Sequence, residues 1–426
     1  PNISTPTGKR DIYYFTNWSI YDRHYFVKDL PINNLVDISY AFVKVQATGE
    51  IALSDPWADV QNPFNVGGNG VDPQNNPNAP PEDLGLFGQF KKLLKDQGKQ
   101  FNLMLALGGW TLSATFSDAF STVEKRSAFV TSLTNFVTQY PIFNGISIDW
   151  EYLSDDGVNY GKDGNSVRKE DGENFILVLQ ALRKALPSYT IAFCCFAAPE
   201  KVKWPIERVV PLLDELHVMT YDFHDGNWGE TKSAHHTNLM PSSHAAWSVD
   251  EAVEFYLSRA VPPAKIFIGG ALYSRGFANT DGIGMPAQGG SPHTSWEPGL
   301  VDYKRLPWDA KSVELWDDEA KAPYALDSTN RVLDSYDNVK SIIAKAQYIK
   351  DHDLGGIIVW ECSGDFPYLD PRARSIMKAL HDNLTHGTGR NASATTHVPT
   401  PLKISKQLAA TQLIGMRNST SALHST

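Results

Sequence analysis

The segment Phe143-Asn144-Gly145-Ile146-Ser147-Ile148-Asp149-Trp150-Glu151-Tyr152 holds the side chains of this sequence best suited to chemistry. Read as a strand, its period of two puts Ser147, Asp149 and Glu151 on one face, with successive same-face residues about 6 to 7 Å apart. Two carboxylates held that close resist being ionised together, so one retains its proton at mild pH and can act as a general acid. A structural hydrogen-bonded pair would show the same spacing, and spacing alone leaves both readings open. The 48 aromatic residues, about one in nine of the chain, gather near strand ends as well as in helix stripes, so something flat can stack there.

Such a carboxylate pair has to be held by a scaffold, and the scaffold is legible as eight apolar segments. They are Asp11 to Thr16, Leu35 to Val43, Phe101 to Leu107, Gly145 to Asp149, Thr190 to Phe196, Glu215 to Thr220, Lys265 to Gly270 and Gly355 to Trp360. Several are almost continuously apolar, as parallel strands covered on both faces must be. Helical patterns lie between them: Ser121 with Glu124 and Ser248 with Glu251 have capping-box spacing, and Phe175, Leu179, Leu182 and Leu186 form one stripe. The expected fold is an α/β chain closed into a TIM (β/α)8 barrel, with Glu151 at the C-terminal end of its strand, where active sites of this architecture lie.

Two stretches interrupt the alternation. Pro56 to Glu82 is rich in Pro, Asn and Gly and reads as an extended loop beyond strand two. The block 273–336 is too long for a connection and reads as a small α+β insertion between strands seven and eight, leaving 1–272 and 337–384 to the barrel. Residues 385–426 contain 13 Ser or Thr and no acidic or aromatic residue, the composition of a disordered tail.

Net charge is −10, which argues against a phosphate-backbone binder, so nucleic acid is not an expected partner. The longest apolar run, Ile191 to Ala198, is far short of a membrane span, and no membrane association is expected. Cys194, Cys195 and Cys362 lie in apolar stretches and read as buried free thiols. Five Asn-x-Ser/Thr sequons, at Asn2, Asn17, Asn383, Asn391 and Asn418, are compatible with export; the chain starts at Pro1 with no signal peptide in the given sequence. A monomer is the default expectation.

The segment around Glu151 resembles the Asp-Gly-x-Asp-x-Asp-x-Glu signature of family-18 glycoside hydrolases, found in chitinases and chitinase-like lectins. Other pieces extend the resemblance in order. Leu107-Gly108-Gly109-Trp110 is similar to the family's strand-three motif, Met219-Thr220-Tyr221-Asp222 to that of strand six, Tyr273-Ser274-Arg275 to that of strand seven, and Gly355-Gly356-Ile357-Ile358-Val359-Trp360 to strand eight. Leu315 to Tyr324 resembles part of the chitinase insertion domain. Together they span about residues 11 to 382.

The resemblance implies a secreted chitinase that cleaves β-1,4-linked N-acetylglucosamine polymers with retention, by the substrate-assisted route and without cofactor or metal. Its partners would be chitin or chitooligosaccharides. Glu151 would be the acid/base, with Asp149 and Tyr221 stabilising the acetamido group. Trp360 and Trp110 would stack on sugar rings. Met219, Asp222 and Arg275 match positions lining the same cleft, Tyr13 and Phe42 match inward aromatics of strands one and two, and Trp228 would be a further substrate contact. A catalytically impaired lectin is the alternative class, and the presence of Glu151 favours the enzyme.

The sequence departs from the family pattern behind the catalytic pair. Asn144 and Ser147 occupy the first two Asp positions, and Ala106 replaces a Ser. Loss of a like charge at 147 leads to the expectation that Asp149 ionises more easily than its usual counterpart. Gly145-Ile146-Ser147 is not a nucleophile elbow, because Ser147 is mid-strand, and Gly282-x-Gly284 has Pro286 where a dinucleotide-binding helix should open. His224, His235, His236 and His244 lack a zinc spacing and read as a solvated loop at the cleft rim.

Overall fold

The computed structural model describes residues 5–34, 37–63, 83–95, 98, 100–153 and 165–386. All eight apolar segments form strands: β1 (Arg10–Thr16), β2 (Asp37–Val45), β3 (Asn102–Gly108), β4 (Gly145–Asp149), β5 (Thr190–Phe196), β6 (Glu215–Met219), β7 (Ile266–Ala271) and β8 (Gly356–Trp360). Each pairs in parallel with the next and β8 pairs with β1, so the barrel closes. A short strand, Ile51–Leu53, adds an antiparallel edge to β2.

Strand sequences are nearly all apolar because both faces are covered. Outward residues such as Phe15, Leu105, Ile148, Phe193 and Val359 pack under the helices in the main core. Inward residues such as Ile12, Met104, Ala106, Cys194, Phe267 and Ile358 form a second, smaller core inside the barrel. β1 corrects one expectation. Tyr13 points outward, its hydroxyl donating to Asp11 at 2.7 Å, and Tyr14 is the inward aromatic. In Asp-Ile-Tyr-Tyr-Phe-Thr both neighbours are aromatic, so composition does not fix the phase of the alternation.

The helix caps follow their local chemistry. Ser248 caps Val249–Ser258 by accepting from the Glu251 N–H and donating to the Glu251 carboxylate. For Val123–Gln139 the cap is Thr122 rather than Ser121, accepting from the Lys125 N–H. The stripe Phe175, Leu179, Leu182 and Leu186 is buried.

Between β7 and β8, the strands Leu300–Asp302, Tyr273–Ala278, Val332–Ser335, Ala322–Asp327 and Val313–Asp317 lie in that order in one antiparallel sheet. The helical part of the expected insertion reduces to the single turn Tyr303–Arg305.

The histidine loop differs from its reading. His235 and His236 are fully buried, and His224 nearly so, with His235 bonded to Asp317 of the insertion at 3.0 Å. Imidazoles paired to carboxylates can be buried where a polar composition alone suggests solvent. Asn17 is also buried, donating to Ser54 and Asp59, so the folded chain does not present this sequon. The loop expected over 56–82 begins with the helical turn Trp57–Gln61, and its part from 64 to 82 lies outside the described residues. Thr385 still belongs to the final helical turn, His381–Thr385, and is buried, while the tail from 387 onward lies outside the described residues.

Candidate active site

The C-terminal ends of the barrel strands bring most of the expected residues to one cleft. Asp149 ends β4 and is 5% exposed. Burial pushes its carboxyl up to about 7, with the nearby Cys194 thiol acting in the opposite direction. Its Oδ1 is buried with no hydrogen-bond partner among the described residues. The expectation of easier ionisation than in the usual counterpart concerns the charge missing at Ser147; in this chain desolvation is the largest influence on Asp149. Glu151 follows on the mouth, half-buried, with its backbone N–H donating to Ser113 Oγ at 3.3 Å.

The cluster behind Asp149 is neutral. Ser147 is fully buried, with Oγ 3.5 Å from Cys194 Sγ, and Cys194 lies 3.1 Å from the Tyr14 hydroxyl. Ala106 lies inside the barrel beside them in the same apolar cluster. Asn144 is not in this cluster. It sits at the opposite end of β4, accepting from the Leu103 N–H and donating to Asn102, which fastens β3 to β4.

Two glycines let backbone come close. Gly108 has φ +101°, and a Cβ there would meet the Asp149 carbonyl at 2.5 Å; Gly109 has φ +81° and would strike the Phe42 ring at 2.7 Å. This explains the Gly-Gly pair before Trp110, since a side chain at either position would displace a wall of the site. Gly269 on β7 does the same for Tyr221, whose ring would be 2.7 Å from an added Cβ. Thr220 fixes that strand end, its Oγ1 accepting from the Gly269 N–H at 2.6 Å. Burial and the nearby acidic groups keep the Tyr221 hydroxyl protonated, its pKa pushed well up.

Asp222 is held differently. Arg275 Nε donates to its Oδ1 at 2.8 Å and Tyr273 Oη donates at 2.7 Å. Burial works against its ionisation, but Arg275 wins and holds the carboxyl below the usual range. The backbone N–H of Asp222, a residue with φ +56°, donates to His236 Nδ1 at 3.3 Å. Burial pushes His236 down to about 3, so it is neutral and its remaining proton is on Nε2.

Aromatic rings supply the flat surfaces. Trp360 is in contact with Tyr14, Phe42 and Trp18, with ring centroids 5.2, 5.7 and 6.2 Å away. Trp110 is 51% exposed beside Tyr152, and Trp228 is 52% exposed with the Arg275 guanidinium 5.3 Å over its ring. Met219 packs with Tyr221 and Trp360 against the inner core. Tyr13 does not reach the cleft. Trp18, Tyr14 and Cys194 do take part in this assembly, and the sequence reading did not place them there. Trp18 lies two residues past the end of β1, on the side of the barrel where sites form, and that position was the available signal.

The cleft therefore offers a carboxyl acid, a second buried carboxyl, a protonated phenol and exposed indoles, the set for protonating a leaving group and stacking on pyranose faces. Among the described residues no helix is long and apolar enough to cross a membrane. The sequence model described as glycosyl hydrolases family 18 matches residues 10–365. An endochitinase 1 of Metarhizium robertsii is 34% identical over 385 residues, 85% of this chain and 84% of its own. A chitinase 1 of Aphanocladium album is 32% identical, with 84% and 82% covered. The catalytic domain of psychrophilic chitinase B from Arthrobacter TAD20 superposes with a TM-score of 0.77 at 27% identity, with 90% of this chain and 97% of that one covered.

Proposed function

The chain belongs to glycosyl hydrolases family 18 and is an enzyme of the chitinase class, and from that premise we propose that it hydrolyses β-1,4-linked N-acetylglucosamine polymers with retention, with Glu151 as acid/base and Asp149 and Tyr221 on the acetamido group. The observation that carries this reading is the buried Asp149 carboxyl, two residues before Glu151, with one oxygen that has no partner among the described residues. Such an oxygen is an acceptor waiting for a donor, and an amide N–H of the substrate is one.

In the proposed reaction Glu151 gives its proton to the glycosidic oxygen as that bond breaks. The carbonyl oxygen of the substrate's own acetamido group attacks the anomeric carbon and forms an oxazolinium ion. Asp149, ionised at this stage, accepts the amide N–H and balances the positive charge, while the Tyr221 hydroxyl donates to the acetamido carbonyl oxygen. Glu151, now a carboxylate, takes a proton from water as water opens the ring, which restores the starting state and the β configuration. Trp360 would underlie the sugar before the scissile bond and Trp110 the sugar after it. Secretion and monomeric action are part of the proposal; chitin is met outside the cell, and the net charge of −10 keeps copies apart.

Glu151→Gln tests the reading. On fluorogenic chitobiose and chitotriose glycosides, kcat is expected to fall by roughly 10²- to 10⁴-fold, with binding to insoluble chitin retained. In the wild-type enzyme, proton NMR of a chitooligosaccharide digest should show the β-anomer first. Activity that survives Glu151→Gln, or an α-anomer first, would overturn it.

A further inference from the structure

Lys345, on the helix Val339–Asp351, is fully buried and takes no part in the proposed reaction, yet it stands behind one of its residues. An ammonium has three N–H groups, and each of these has a partner: Asp337 Oδ2 at 2.6 Å, Thr237 Oγ1 at 2.7 Å and the Gly269 carbonyl at 3.1 Å. With its oxygen accepting from Lys345, the Thr237 hydroxyl directs its own proton to the Thr220 carbonyl at 2.8 Å. That carbonyl belongs to the peptide bond leading into Tyr221. Asp337, two residues past the insertion strand Val332–Ser335, completes the frame by accepting from the Ala271 N–H at 3.1 Å and from the Ser341 hydroxyl at 2.7 Å. The frame thus grips β7 on both sides of Gly270 and the end of β6 at Thr220.

One cation therefore fastens both supports of Tyr221. The ring lies so close to the Gly269 backbone that an added Cβ would meet it at 2.7 Å, and its own backbone follows the Thr220 carbonyl that Thr237 holds. Replacing a buried ion pair by apolar residues of similar volume is often neutral for stability, so what this pair supplies is a fixed set of hydrogen-bond directions. We propose that Lys345 is the positioning residue for Tyr221: paired with Asp337 and acting through Thr237 and the Gly269 carbonyl, it sets where the phenol hydroxyl meets the acetamido carbonyl oxygen. This rests on the role given to Tyr221 above. In that role the phenol supplies aim, holding the acetamido oxygen in line with the anomeric carbon, and a misplacement of about 1 Å can cost roughly 10²-fold in rate. The exposed indoles still hold the sugar chain, so the loss falls on kcat and not on KM.

The test is a double-mutant cycle in the full chain, with Thr237→Val and Tyr221→Phe made singly and together. It is read as kcat and KM on a fluorogenic chitotrioside, with thermal unfolding as a control on folding. Tyr221→Phe should lower kcat by roughly 10- to 100-fold, and Thr237→Val, which cuts the link from Lys345 to the Thr220 carbonyl, by roughly three- to thirtyfold with KM within about twofold. In the Tyr221→Phe background, where no hydroxyl is left to place, Thr237→Val should cost less than about twofold more. Thr237→Ser, which keeps the hydroxyl, should restore most of kcat. Lys345→Met removes all three donors and should lower kcat at least as far as Thr237→Val, with a lower Tm because Asp337 is left buried without its cation. Should Lys345→Met not fold, the Thr237 cycle carries the test; should the valine methyl beside the ammonium prevent folding, Thr237→Ala removes the hydroxyl without crowding it. A folded Lys345 or Thr237 variant with unchanged kcat, or a Thr237 variant that loses the same factor in both backgrounds, overturns the positioning role and leaves that of Tyr221 standing. An unchanged kcat in Tyr221→Phe overturns the role of Tyr221 and the positioning role with it, so the two failures are told apart.

Discussion

Asp149 and Asp222 stand at the same mouth of the barrel, on β4 and just past β6, and their carboxyls are driven in opposite directions. Asp149 is 5% exposed, faces a thiol and hydroxyls, and is pushed up to about 7 by burial. The Asp222 side chain is 36% exposed and is gripped by Arg275 and Tyr273, which hold it below the ordinary range although burial acts the other way. Exposure accounts for part of the contrast, but the deciding factor is a countercharge at 2.8 Å on one side and none on the other among the described residues. In the proposed reaction the carboxyl that receives the substrate amide is the one kept under-solvated and without a cation among the described residues. A wall that must only hold shape saturates its carboxyl with donors.

The strongest way to break this contrast is to neutralise each aspartate in turn. For Asp149 the folded pKa lies above the unfolded one, so between the ordinary carboxylate range and about 7 the fold retains a proton that the unfolded chain has released, and stability falls as pH rises through that window. For Asp222 the folded pKa lies below, so its contribution is present above the ordinary range and is lost as pH falls through the folded value. Asp149→Asn should therefore lower kcat by roughly 10²- to 10³-fold yet stabilise the protein at pH 8 by about 1 to 2 kcal/mol, a trade between function and stability. Asp222→Asn should destabilise it at the same pH, by about 1 kcal/mol once screening at a partly exposed pair is allowed for. Thermal unfolding of both variants at pH 8 and pH 4.5 is the check, and shifts of equal sign would remove the distinction.

A milder change adds charge to the neutral side. Ser147→Asp puts a like charge beside Asp149, which should raise the pKa of Asp149 further and move the acidic limb of the pH–rate profile upward by about one unit. An unchanged profile would mean that charge at 147 is not felt at Asp149, and that burial alone sets its titration.

These positions also mark where sequence reasoning reaches and where it stops. The eight strands were legible because each must be apolar on both faces, and the strand period carries Ser147 and Asp149 to one face, while Glu151 lies two residues past the strand end, in a turn that the period does not govern. The phase of β1 was not legible. Tyr13 and Tyr14 are adjacent and equally aromatic, and only packing shows that Tyr13 faces the helices and Tyr14 the barrel interior. Cys194 read as one buried thiol among three, because nothing local to Phe193-Cys194-Cys195-Phe196 says that Asp149, 45 positions earlier in the chain, would face it. His235 and His236 failed in the opposite sense. Their polar surroundings suggested solvent, while their partners Asp317 and Asp222 are supplied by a distant strand of the insertion and by the turn after β6. Contacts between segments far apart in sequence decide such cases, and composition does not report them.

The smallest expected effect concerns what shields the Asp222 side. Trp228 projects from the turn Gly226–Trp228 with half its surface in solvent, and Arg275 lies 5.3 Å over its ring while pairing with Asp222 and, at 3.1 Å, with Asp225. The indole face attracts the guanidinium and covers it on one side, worth about 0.5 to 1 kcal/mol at an exposed position. Trp228→Ala should leave kcat on short glycosides within about twofold and raise KM for longer chitooligosaccharides by roughly two- to fivefold, since an exposed ring beside the cleft adds stacking area without touching the reacting bond. It should also make that KM more sensitive to salt, because the Arg275–Asp222 pair loses a low-dielectric neighbour and is screened more by ions. Steady-state kinetics on substrates of increasing length, at low and at high ionic strength, separate the two effects. A KM that rises equally for every length would make Trp228 a packing support for Arg275 alone. A KM that rises only for long substrates, with unchanged salt dependence, would make it a sugar platform to which the ion pair is indifferent.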